Sequence, residues 1–247
     1  MSLQEVRLYE VVKKQVIYKV KSYTGILQTL MVLQLIGLFI AASGSSGMVG
    51  GSSMSLNYSF TFFSGTALAV MTILWIITNS VLISTTAYKN DDFTFVSTRW
   101  SRHLANGVYI GFLAILGTLT SYMGINVLKI VYQILQVEAI YDVNLSYMDQ
   151  FASIINIFGY VLLSGILAYF IGSVLQFNKL FTVFGIIAIV AFIAVFNSFS
   201  QVNLYYSIGK FIFAEESISI FIIKIISICL LAFSASWFFN KNQEVHS

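Results

Sequence analysis

Six long apolar runs dominate the chain, at about Tyr23–Ala42, Phe60–Ser84, Leu104–Leu128, Phe151–Leu175, Leu180–Phe199 and Ser217–Phe239. None contains Asp or Glu. A helix crosses the bilayer core in about 20 residues, and runs this long exceed what a buried core helix needs. The pattern predicts six transmembrane helices.

Residues 1–22 follow a different pattern. Tyr9, Val12, Val16 and Val20 recur at three- and four-residue steps. Arg7, Glu10, Lys14 and Lys21 fall on the opposite side, with Glu10 and Lys14 at a favourable i,i+4 spacing. This predicts an amphipathic interfacial helix on an anionic leaflet, ahead of the transmembrane domain at 23–239 and a tail at 240–247.

The connections differ from one another. Ser43–Ser59 carries Gly44, Gly47, Gly50 and Gly51 among small polar residues and reads as a flexible loop. Tyr88–His103 is the most polar internal stretch. Residues 129–150 are acidic, 176–179 form a tight turn, and 201–216 carry Glu215 and Glu216.

Composition supports the same class. The 247 residues are 58% hydrophobic and 9% charged, against about 25% charged in soluble domains. Thirteen basic and ten acidic residues cannot cover a soluble surface of this size. An ordinary soluble domain, a disordered chain and a nucleic-acid binder are excluded. Proline is absent, so no helix is kinked by it, and a lone Cys229 rules out an intramolecular disulfide. The expected class is an all-α polytopic membrane protein.

Charge then sets the expected orientation. With both ends in the cytoplasm, the inner segments hold Arg7, Lys13, Lys14, Lys19, Lys21, Lys89, Arg99, Arg102, Lys179 and Lys241, which is ten of the 13 basic residues. The positive-inside rule therefore predicts N-in, C-in.

Catalytic chemistry is poorly represented. His103 and His246 lie far apart, no H-E-x-x-H occurs, and the runs lack paired acids. A phosphate-binding G-x-x-x-x-G-K-[ST] is missing, so no metal, cofactor or catalytic residue is expected in this chain, and any ATP belongs to a partner. Lys224 is the single charge inside a run. It either contacts an anionic substrate group or snorkels to the outer end beside Glu215 or Glu216. Gln28, Gln34, Asn79, Asn126, Asn156 and Asn197 are expected to bond between helices. Gly107 with Gly111, and Gly165 with Ala168 and Gly172, have the spacing of close helix contacts.

The stretch Tyr88–His103 reads YKNDDFTFVSTRWSRH. Phe93, Val96, Trp100 and Leu104 form an apolar stripe, with Arg99 and Arg102 beside it. Asp91 and Asp92 lie where they favour a helix N-terminus. A short amphipathic helix between spans two and three is predicted.

This plan resembles the type 2 permeases of ATP-binding-cassette exporters, and DDFTFVSTRWSRHLAN looks like the corresponding loop of small bacterial permeases in that group. The resemblance implies a permease subunit in a bacterial cell membrane, working as a homo- or heterodimer. It implies a separate ATPase subunit that binds ATP and Mg. A coupling helix near 88–103 would dock in that ATPase, with Asp91, Asp92, Phe93, Phe95, Val96, Arg99, Trp100 and Arg102 at the interface. It further implies export of a peptide, a lipid-like molecule or an amphipathic drug, as in antibiotic or peptide resistance. A secondary transporter and a non-transporting immunity or sensor protein are the competing readings.

Overall fold

The computed structural model describes residues 8–42, 48–53, 56–61, 65–85, 88, 98–134, 147–177 and 217–241. In chain order these form α1 (Leu8–Ser22), α2 (Gly25–Ala42), β1 (Met48–Ser53), β2 (Leu56–Thr61), α3 (Thr66–Ser84), α4 (Arg99–Ile134), α5 (Tyr147–Phe177) and α6 (Ile218–Lys241). Apart from the hairpin, the described chain is helical. Five of the helices, α2 to α6, are long and apolar enough to cross a membrane. That is the pattern of a multi-pass membrane protein. The run predicted at Leu180–Phe199 lies outside the described residues.

The stretch read as a flexible loop holds structure. Met48–Ser53 pairs antiparallel with Leu56–Thr61, from Met48 opposite Thr61 to Ser53 opposite Leu56. The second apolar helix accordingly starts at Thr66 rather than Phe60. Polar Asn57, Ser59 and Thr61 alternate with Leu56, Tyr58 and Phe60, which is the period of a strand.

Contacts fix the direction of each helix. Trp75 of α3 donates from Nε1 to the Ile26 carbonyl and to Thr29 Oγ1 of α2, at 3.1 and 3.2 Å. Gln34 of α2 donates from Nε2 to Thr72 of α3 and Thr120 of α4, at 3.4 and 2.8 Å. The helices α2 and α3 therefore run antiparallel; Gly117 against Thr72 and Gly124 against Leu68 turn α4 back again, and Gly165 against Ile110 with Tyr169 against Asn106 set α5 antiparallel to α4. Gly159 and Tyr160 of α5 lie against Phe221 of α6, while Ser236 of α6 donates to Ser173 of α5 at 3.1 Å. Both contacts advance in the same sense, so α5 and α6 are parallel. The end of α5 and the start of α6 therefore lie at opposite ends of the bundle.

Inside hydrocarbon, lipid tails are as apolar as leucine, so helices associate through close packing and polar contacts rather than by escaping water. The stripe Gly165, Ala168 and Gly172 on α5 serves that purpose. A Cβ on Gly165 would lie 3.0 Å from Ile110 and 3.1 Å from Ile76. One on Gly172 would overlap the Ser84 hydroxyl and sit 3.3 Å from the Val81 Cα. Gly111, by contrast, faces open space. The core of the bundle gathers Leu30, Trp75, Ile76, Ile83, Tyr109, Ile110, Leu113, Ala114, Val161 and Tyr169.

The polar side chains in the helices divide. Gln34 ties three helices together as expected. Asn79 and Asn126 instead donate back to the carbonyls of Trp75 and Tyr122 on their own helices. Asn197 lies outside the described residues.

Candidate functional site

One end of the bundle gathers α1, the first turns of α4 and the last turns of α3, α5 and α6. Of the region singled out by sequence, Tyr88 and residues 98–103 are described. Asp91, Asp92, Phe93, Phe95 and Val96 lie outside the described residues. Arg99, Trp100 and Arg102 form the first turn of α4, and no break separates them from the rest of that helix. Helix α4 is 36 residues long, about 54 Å at the standard rise. The helical pattern expected up to His103 thus joins the third apolar helix directly. Thr98 caps the start, accepting from the Ser101 amide at 3.2 Å.

Trp100 packs edge-to-face on Trp237 of α6, with ring centroids 4.6 Å apart. It is still 43% exposed. Arg99 is exposed and Arg102 half-buried. At the other boundary of the stretch, the Tyr88 ring meets Tyr23 at 4.8 Å, beside the break between α1 and α2.

His103 is buried, 2% exposed. Its ring stacks on Phe233 at 4.0 Å and lies 5.5 Å from Trp237. Room for Phe233 comes from Gly107, where a Cβ would lie 2.7 Å from the ring. His103 Nδ1 is 3.2 Å from the Tyr169 hydroxyl of α5. Asn106, one turn further on, donates to the same hydroxyl at 3.3 Å. Its Oδ1 accepts from the Lys19 ammonium of α1. A buried polar relay therefore runs Lys19–Asn106–Tyr169–His103 and joins three helices, with α6 stacked on its end.

Helix α1 meets this relay through an unexpected face. Gln15 and Lys19 are each 1% exposed, whereas Tyr9 is 72% exposed. Val12, Val16 and Val20 are half-buried. The Lys19–Asn106 bond and the Tyr23–Tyr109 ring contact at 6.4 Å advance together along both helices. The end of α1 thus lies alongside α4 in the same direction.

Sequence periodicity missed this site because it sought apolar faces. The available signal was Gln15 and Lys19 at i,i+4, which places both on one side. Lys224 stands apart, half-buried near the start of α6, and Glu215 and Glu216 lie outside the described residues. Among the described residues, no group of three or more His, Cys, Asp or Glu comes together. The relay's hydrogen bonds and ring contacts join the ends of α1, α4, α5 and α6.

Comparison with protein-family models, with curated proteins and with solved structures finds no match to this chain.

Proposed function

We propose that this chain is the membrane-spanning permease subunit of an ATP-driven exporter. A separate ATPase chain would drive it through residues 88–103, and two permease chains would enclose the path. The observation that carries this reading is the continuity of Arg99, Trp100 and Arg102 with α4. A helix transmits displacement along its axis when its hydrogen-bond ladder is unbroken. A load applied at the first turn of α4 would reach the far end of the bundle. Trp237, His103, Tyr169 and Lys19 would pass the same load sideways into α6, α5 and α1.

The expected orientation has support of the same kind. Exposed Lys13, Lys14, Lys21 and Arg99 share one end of the bundle, which the positive-inside rule assigns to the cytoplasm. Parallel α5 and α6 require a crossing between them, and Leu180–Phe199 is the apolar run that would make it. That gives six spans with both termini inside. A peptide, a lipid-like molecule or an amphipathic drug is the proposed cargo class, and outward transport follows the resemblance of the 88–103 stretch.

Purification of the tagged chain in mild detergent from its native membrane tests the reading. An ATPase with a phosphate-binding loop is expected to co-purify and to hydrolyse ATP faster with the permease present. Recovery of the chain alone at every expression level would overturn it.

A further inference from the structure

We propose that α1 is a strap with two seats: a polar face that docks on α4, and an apolar face that docks in an anionic lipid leaflet. The first seat is the contact of α1 with α4 around Lys19 and Asn106. Its centre is Gln15 and Lys19, both 1% exposed. Lys19 is matched by Asn106. Gln15 is not matched: both its Nε2 and its Oε1 are buried without a hydrogen bond. A primary amide brings two donors and an acceptor, and burying them unpaired opposes docking. The seat on α4 thus combines one favourable charged contact with one unfavourable amide.

The second seat uses different residues of the same helix. Tyr9 and Val16 lie about a quarter turn around α1 from the centre of the Gln15–Lys19 face. Tyr9 and Ile17 are exposed, and Lys13, Lys14 and Lys21 are exposed around them. Apolar and aromatic residues flanked by lysines match the chemistry of an anionic leaflet, where the stems lie along acyl chains and the ammonium groups reach headgroups. The helix also has a place to turn. Helix α1 stops at Ser22 and α2 begins at Gly25, and a Cβ on Gly25 would meet nothing within 4 Å. Turning there releases Tyr23 from its ring contacts with Tyr88 and Tyr109.

This inference stands apart from the ATPase reading, because it needs only this chain and lipid. Spin labels on Glu10→Cys and Val108→Cys, in a Cys229→Ser background, report the distance between α1 and α4. Both labelled positions are exposed. In nanodiscs of phosphatidylcholine alone the docked distance is expected to dominate. In discs half of phosphatidylglycerol a second, longer distance is expected to grow. Gln15→Leu removes the unmatched amide at similar volume, so it should lower the undocked-to-docked ratio by about tenfold or more. Gln15→Met should act in the same direction. A single distance in both lipids overturns the strap. So does a Gln15→Leu chain that undocks more readily, since that result would mean the amide is held at the seam by a bound molecule.

Discussion

Asn106 is bonded at both ends of its side-chain amide, accepting from Lys19 and donating to Tyr169. Each of its partners is buried and belongs to a different helix. Asn106→Leu would remove both bonds while leaving a buried ammonium and hydroxyl behind. Losing one partner of a buried hydrogen-bonded charge costs about 3–5 kcal/mol. A lowered thermal midpoint in detergent is expected, with Asn106→Asp much closer to the parent because a carboxylate still accepts from Lys19. Equal midpoints for the two variants would contradict the relay.

Gly172 of α5 packs against Ser84 and Val81 of α3. Gly172→Ala places a methyl on the Ser84 hydroxyl and near the Val81 backbone. Overpacking of this kind costs about 1–3 kcal/mol. The double variant Gly172→Ala with Ser84→Gly is expected to recover most of the loss, since the nearest obstructing atoms belong to the Ser84 side chain. Thermal unfolding followed by tryptophan fluorescence reads both effects.

Arg99 and Trp100 separate docking from stability. Arg99 is exposed, so Arg99→Glu should lower the thermal midpoint less than Trp100→Ala while reducing ATPase recovery severalfold. Trp100→Ala is expected to reduce both, because it also removes the edge-to-face contact with Trp237. Such a pair contributes about 0.5–1.5 kcal/mol beyond its buried area. Unchanged ATPase recovery with both variants would remove this turn from the coupling interface.

Membrane-impermeant maleimide tests the orientation. In a Cys229→Ser chain, cysteine at Lys13 or Lys21 is expected to stay unlabelled in intact cells and to label after permeabilisation. Cysteine at Ser46, between α2 and β1 in the sequence, is expected to label in intact cells. The reverse pattern would invert the proposed topology.

The apolar helices were legible because hydrophobic length needs no partner to be recognised. Tyr23–Ala42 against Gly25–Ala42, and Phe151–Leu175 against Tyr147–Phe177, differ only at their ends. The start of α4 was harder to place. Polarity at Arg99, Arg102 and His103 suggested a separate element, yet neither Gly nor Pro stands between Arg99 and Leu104 to stop the helix. The hairpin was hidden by glycines at 50 and 51, which outweighed the alternation in Leu56–Thr61. The relay was the least accessible. Nothing near Lys19 announces that its hydrogen-bond acceptor lies 87 positions further along the chain.

That separation also has a consequence for biogenesis. When α1 and α2 leave the ribosome, Asn106 has yet to be synthesised, and Tyr169 follows 63 positions after it. The polar face of α1 therefore has no seat until α4 arrives, and the relay closes only once α5 is inserted. Docking of the N-terminal helix is a late step of assembly, and closure of the relay requires the first four membrane-capable helices.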